Sequence, residues 1–270
     1  MGHGKLKRFR ENETFGCLLQ PASSEVLDKS AEGFALRDHA IRGNWNRQMF
    51  AREQPIVLEL GCGKGEYTID MALRNPEFNY IGVDIKGARL WKGAKFATEH
   101  NLPNVAFLRT RIEFIGAFFA PGEVSEVWLT FSDPQMKSEN SRLTSPRFLE
   151  RYRAFMAPGG IVHLKTDSMF LHQYSKAMAE QNGLKILACT EDLYATDPET
   201  LAVDPEIYNR DRLASLYEVQ TYYESMFLKQ GLKITYLSFV IDKEGPYVYP
   251  EFDADYWRSV EAPRKTFNVL

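Results

Sequence analysis

VLELGCGKGEYT, residues 57–68, is an apolar run that ends on a carboxylate and breaks into alternating glycines. The β-branched start predicts a buried strand, with Glu59 near its end and Gly61, Gly63 and Gly65 in the turn that follows. Glycines permit tight-turn backbone angles and let a ligand approach the main chain closely, as in the first βα unit of a doubly wound sheet. Dinucleotide and methyl-donor sites share that unit, and charge separates them here. In the dinucleotide pattern GxGxxG the last glycine falls on Glu66, whose carboxylate would repel a pyrophosphate at a helix N-terminus. S-adenosylmethionine has no phosphate and carries a cationic amino group and sulfonium, which suit Glu59 at the strand end. Asp84, about 20 residues beyond the loop, stands where an acidic side chain accepts from both ribose hydroxyls. A glycine-rich turn alone is weak evidence; the turn framed by Glu59 and Asp84 points to the methyl donor. Cys62, a small residue between glycines, reads as packing.

Outward from this unit, short β-rich runs alternate with longer amphipathic ones, the pattern of βαβ units and a mostly parallel sheet. Strands are predicted at 56–60, 80–83, 105–108, 127–131 and 161–165, and helices at 66–74 and 87–99. After the polar segment 132–143, Ser145 is placed to cap a helix and Pro146 suits its first turn. A helix over 168–181 ends at Gly183, followed by a strand at 184–188; a helix over 221–230 ends at Gly231, followed by a last strand at 234–241. That terminal order allows an antiparallel pair. We divide the chain into an N-terminal extension with a basic arm and a helix (1–50), a main domain (51–244) carrying an acidic insertion (190–220), and a C-terminal tail (245–270).

The 270 residues and 44% hydrophobic content suit one large α/β domain with extensions. No apolar run approaches membrane-spanning length and the N-terminus lacks a secretory apolar region, so a cytoplasmic protein with no membrane partner is expected. Cys17, Cys62 and Cys189 are scattered with no ligand spacing, so no metal and no disulfide framework is expected. The net charge of −3 argues against indiscriminate binding of nucleic acid, whose phosphates require local Lys and Arg. Lys5, Lys7, Arg8 and Arg10 form one such cluster, which on charge alone also reads as a solvated tail.

Three polar segments fall at predicted strand ends or helix starts. FSDPQ, residues 131–135, places Asp133 at the carboxyl edge of the sheet, where open α/β folds bind ligands; an Asp-Pro turn starter reads equally well. Exocyclic-amine methyltransferases carry (D/N)PP(Y/F/W) there, but Gln135 and Met136 replace the second proline and the aromatic. HLKTDS brings Asp167 to another strand end, where it also reads as a helix cap. TYYE sets Thr221 and Glu224 one turn apart, the spacing of a capping box.

With KLKRFRENETF, VLELGCGKGEYT, YIGVDIKG, WLTFSDPQMK, RLT, PGGIVHLKTD and TYYESMF in this order, the sequence resembles the bacterial tRNA (guanine-N7-)-methyltransferases over nearly its whole length. The resemblance implies a Rossmann-like class I S-adenosylmethionine-dependent methyltransferase fold, a mostly parallel seven-stranded sheet with one antiparallel strand and helices on both faces. It assigns Glu59, Gly61, Gly63, Asp84 and Asp133 to the methyl-donor site, with Asp133 catalytic, and Lys137, Asp167, Thr221 and Glu224 to the substrate. The implied substrate is a guanine in the variable loop of tRNA, and the protein a monomer or homodimer. There are two departures. Arg111 occupies the donor-site position, after the third strand, that is usually acidic or Asn. The family's basic run after FSDP is thinned to FSDPQMKSENSRLT, leaving chiefly Lys137 and Arg142, with Arg147 and Arg151 on one helix face to compensate. The competing readings are a methyltransferase of another substrate, a non-catalytic RNA-binding homologue and, least, a nicotinamide dehydrogenase.

Overall fold

A computed structural model describes residues 3–28, 35–201 and 210–261. The side chain of Lys5, part of the acidic insertion (202–209) and the end of the tail (262–270) lie outside what is described. The strands in chain order are β1 (Leu18–Leu19), β2 (Leu27–Asp28), β3 (Ala35–Leu36), β4 (Ile56–Leu60), β5 (Asn79–Asp84), β6 (Val105–Arg109), β7 (Val124–Thr130), β8 (Met156–Thr166), β9 (Ile186–Thr190) and β10 (Thr235–Val240). The helices are α1 (His3–Asn12), α2 (Ser23–Val26), α3 (Trp45–Gln48), α4 (Glu66–Arg74), α5 (Gly87–Glu99), α6 (Pro146–Arg153), α7 (Met169–Gln181), α8 (Pro198–Leu201), α9 (Arg210–Glu218), α10 (Tyr222–Lys229) and α11 (Ala254–Val260).

The main sheet has the order β1-β6-β5-β4-β7-β8-β10-β9, and β10 runs antiparallel to both β8 and β9. The other neighbours are parallel, as the alternation of strand and helix predicts. Eight strands form it rather than seven, because Leu18 and Leu19 from the N-terminal extension pair with Phe107 and Leu108 at the edge. Two residues carry no periodicity, so this strand has no signal in the sequence. The central strands β4 and β5 are buried along their full length, which explains why they are mostly apolar, with Glu59 and Asp84 the charged exceptions.

One core, with Ile115, Phe148 and Met178, lies beneath the 3₁₀ turn Ile112–Ala117, α6 and α7; the other, with Tyr67, Leu90 and Leu216, lies beneath α4, α5 and α9. Phe107 is fully buried between Gly65, Gly82 and Gly93, and a β-carbon at Gly65 would stand 2.5 Å from its ring. Those glycines are what let α4 and α5 settle onto the sheet.

The N-terminal helix is docked. Trp91 of α5 donates to Glu11 at 2.6 Å and lies beneath the Arg8 guanidinium at 4.9 Å, while Asn12 donates to the Gly87 carbonyl at 2.9 Å. Several local readings are corrected. Ser145 flanks α6 but makes no side-chain cap, and its buried hydroxyl has no hydrogen-bond partner among the described residues. Ser168, rather than Asp167, caps α7 by accepting from Leu171 N at 3.1 Å. β9 starts at Ile186 rather than Leu184, because Leu184 N is still held by the Ala179 carbonyl at 2.9 Å beyond the α7 end. β8 starts at Met156 rather than Ile161, ahead of Pro158, Gly159 and Gly160, and its pairing with β7 shifts register there.

Candidate active site

The sheet order reverses at β4, whose neighbours are β5 and β7, and the carboxyl ends of these strands open onto a cleft of about 840 Å³. Gly61, Asp84, Arg111 and Asp133 line this cleft together, so four of the expected donor-site residues from separate strand ends converge. The loop is tied across β5 by Gly61 N and Cys62 N, which donate to the Val83 carbonyl at 2.8 and 3.0 Å. Gly63 adopts a φ of 58°, a left-handed angle that turns its N–H onto Asp84 Oδ2 at 3.0 Å. Lys86 N reaches the other oxygen at 2.7 Å, so the Asp84 carboxylate is pinned by two backbone amides.

Glu59 sits behind the cleft. Its carboxylate accepts from Thr68 N at 2.9 Å, from the Thr68 hydroxyl, and from the Thr130 hydroxyl at 2.5 Å. Burial pushes its pKa up against the pull of these donors. The sequence reading treats Glu59 as an open acceptor at a strand end; the structure shows it joining β4 to β7 and to the first turn of α4. Burial, with the Glu59 and Asp84 carboxylates nearby, raises the Cys62 thiol well above its ordinary value, which matches its reading as packing.

Asp133 is exposed on the opposite lip, and Gln135 N donates to its Oδ1 at 2.9 Å. Phe131 and Gln135, on either side of it, hold φ of 51° and 46°, a region that L-residues seldom occupy. Such strain concentrates where the surrounding structure must aim a side chain. Phe131 N is anchored to the Lys165 carbonyl at 2.9 Å, so the Asp133 segment, as it leaves β7, is tied to the end of β8.

The expected substrate residues lie beyond the cleft wall. Lys137 is exposed, and Asp167 is half-buried just past the end of β8. Thr221 and Glu224 do form a capping box, with Glu224 N donating to Thr221 Oγ1 at 3.1 Å and Thr221 N to Glu224 Oε2 at 3.3 Å. Glu224 is also fully buried, 2.8 Å from the Lys165 ammonium and accepting from the Tyr194 hydroxyl at 2.6 Å. Lys165 further donates to the Leu216 and Val219 carbonyls at 3.0 Å each, closing the C-terminal end of α9. Burial lowers the Lys165 pKa and Glu224 opposes this. Sequence reasoning missed Lys165 and Tyr194; a lysine inside the apolar run IVHLKT was the available signal for the first.

Arg142, counted as an RNA contact in the thinned basic run, is corrected by the structure. It is 3% exposed, with its guanidinium 4.7 Å from the Phe170 ring and 4.3 Å from the Tyr174 ring, and it donates to the Met136 carbonyl at 3.3 Å. It braces the loop after Asp133 from inside.

A family profile described as "Putative methyltransferase" matches residues 53–237. The tRNA (guanine-N(7)-)-methyltransferase of Bacteroides fragilis (strain YCH46) is 43% identical over 268 residues, covering 98% of both chains. This chain belongs to the tRNA (guanine-N7-)-methyltransferase family. The family member of Porphyromonas gingivalis (strain ATCC BAA-308 / W83) is 46% identical over 244 residues, 89% of this chain and 93% of that one. Among solved structures, the 16S rRNA methyltransferase KamB shares the fold, with a TM-score of 0.54 at 16% identity over 81% of this chain and 99% of its own. Among the described residues no helix is long and apolar enough to cross a membrane.

Proposed function

We propose that the chain transfers a methyl group from S-adenosylmethionine to N7 of a guanine in the variable loop of tRNA. The observation that carries this reading is the convergence of Asp84 and Asp133 on one cleft beside the glycine turn, in a chain aligned almost end to end with tRNA (guanine-N7-)-methyltransferases. The wall suits the donor: a β-carbon at Gly61 would meet nothing within 4 Å, so the main chain is open to close approach, and the pinned Asp84 carboxylate matches a pair of ribose hydroxyls. Glu59, Gly61, Gly63, Asp84, Arg111 and Asp133 are assigned to the donor, Glu59 acting from behind the wall. Lys137, Asp167, Thr221 and Glu224 are assigned to the RNA and its guanine.

Bound there, S-adenosylmethionine supplies a methyl carbon made electrophilic by its sulfonium. Guanine N7 has an in-plane lone pair and no proton, so no general base is needed and alignment carries much of the acceleration. The purine becomes cationic as it is methylated, and the exposed Asp133 carboxylate at the lip is the group that stabilises this charge. For Glu224 to accept from the guanine N1–H and amino group, it must exchange its Tyr194 hydrogen bond for the base. A base entering the cleft must leave its stack, which a loop allows at least cost.

The test is incubation with unmodified tRNA and the methyl donor, followed by mass spectrometry of the nucleosides. The expected product is 7-methylguanosine, and Asp133→Ala is expected to lower the rate about a hundredfold or more. Near wild-type turnover in that variant removes Asp133 from the mechanism.

A further inference from the structure

With Arg142 withdrawn into the core, the cations that meet RNA at the cleft must come from elsewhere. Arg151 is a poor substitute for it. Its guanidinium lies over the Phe148 ring at 4.9 Å, donates to the Arg147 carbonyl at 3.4 Å, and has its pKa lowered by burial and by the Arg147 charge. Arg147 and Arg89 differ. Both are exposed, both line the cleft, and among the described residues neither guanidinium has an ion pair or a hydrogen bond. Arg147 belongs to the first turn of α6 and Arg89 to the first turn of α5. These helices pack against different hydrophobic cores, so the two arginines reach the cleft from opposite faces of the sheet. Helix N-termini add positive potential where each side chain stands. The nearby carboxylates are largely occupied: two amides hold Asp84, and Glu113 lies 3.5 Å from Arg111.

We infer that Arg147 and Arg89 form a two-sided clamp for the RNA backbone, each binding a phosphodiester next to the guanosine whose base enters the cleft. The inference rests on the reading of the cleft as a guanine site. A base inserted toward Asp133 leaves its own sugar-phosphate chain crossing the rim, where an arginine fork matches two phosphate oxygens. The arrangement replaces the thinned basic run of residues 131–144 with cations placed on two helices. The other anion that suits such a fork is the carboxylate of the methyl donor, and the two sources separate experimentally.

The experiment uses the full chain, an unmodified tRNA transcript, and the variants Arg147→Ala, Arg89→Ala and Arg147→Lys. Dissociation constants are measured across a salt series, alongside affinity for S-adenosylmethionine and steady-state kinetics. Each alanine variant is expected to weaken tRNA binding about tenfold. Each should also flatten the slope of log K against log salt by about 0.7–0.9. The loss should fall on KM for tRNA rather than on kcat, with donor affinity unchanged; Arg147→Lys should recover the slope while leaving affinity reduced. Unchanged tRNA affinity and slope overturns the clamp. So does a loss of donor affinity with an intact salt slope, which assigns the arginines to the donor carboxylate. Failure of the wild-type chain to methylate tRNA defeats the proposed function instead, since the clamp is judged on binding alone.

Discussion

Substituting alanine for Arg142 separates two roles that the sequence leaves merged. An RNA contact on the surface would be lost with little effect on folding and with a weaker salt dependence of binding. The structure instead buries the guanidinium between the rings of Phe170 and Tyr174, with Met136 O at 3.3 Å and Glu139 at 3.7 Å. Two desolvated cation–π contacts contribute about 1 kcal/mol or more each, and the hydrogen bond about 1 kcal/mol, so Arg142→Ala should cost about 3 kcal/mol. For a chain of this size that is a fall in Tm of about 6–12 °C, read by calorimetry or circular dichroism. The loop carrying Asp133 and Lys137 loses its brace, so KM for tRNA should rise while the salt slope of binding stays as in the wild type. Arg142→Met, which keeps most of the volume, should fall between the two in Tm. An unchanged Tm with a salt slope reduced by about 0.7–0.9 would falsify the bracing role and return Arg142 to the RNA surface.

Three other outcomes follow from buried or reacting groups. Burial alone would raise the Glu126 carboxyl, but Arg212 and His163 beside it overcome this and bring it from 4.5 to about 2. Being depressed, it stabilises the fold by about 3 kcal/mol above its ordinary range, and this is lost as pH falls from about 4.5 toward 2. Acid unfolding curves of Glu126→Gln and wild type that superimpose would contradict this. Glu59 has the opposite sign: its raised pKa means that its stabilising contribution belongs to low pH and is lost as pH rises, because burial disfavours the charged form. Glu59→Gln should therefore keep or raise Tm, with the Thr130 hydroxyl reversing to accept, while donor affinity measured by calorimetry falls; a drop in Tm with donor affinity intact would reverse that assignment. Asp133→Asn should retain the wild-type Tm and lose turnover by about a hundredfold, and a fall in Tm would place Asp133 among the groups that hold the fold.

What was legible in the sequence was local. Strand β4, its glycine turn and α4 are consecutive, so every signal they need lies within VLELGCGKGEYT, and Asp84 follows at a spacing set by one βαβ unit. The misses depend on partners far along the chain. Leu18–Leu19 is a strand because Phe107 and Leu108 offer it an edge. Arg142 is internal because Phe170 and Tyr174, some turns away on α7, enclose it, and Phe252 from the tail packs edge-on against both rings at 5.4 Å. Glu59 reads as an open carboxylate until Thr130 arrives from β7 to occupy it. The capping box of Thr221 and Glu224 was legible, being four residues long, but the Lys165 ammonium beneath it was not.

The distribution of charge resolves how a chain of net charge −3 serves a polyanion. Asp84 at the floor and Glu59 behind it are held by backbone amides and hydroxyls, so both carboxyl groups are fixed in place beside the position where a cationic donor is proposed to lie. Around the mouth stand Lys86, Arg89 and Arg147, all exposed and drawn from two sides of the sheet. A phosphate descending to the floor would meet carboxylates, and a sulfonium at the mouth would meet guanidinium groups; each ligand is repelled from the other's place. Asp133 lies between the layers, near enough to the mouth to remain exposed and aimed by the left-handed turns at Phe131 and Gln135. In the proposed reaction a purine reaching it from the rim gains positive charge as the methyl arrives, so the attraction of that carboxylate is stronger in the transition state than in the ground state.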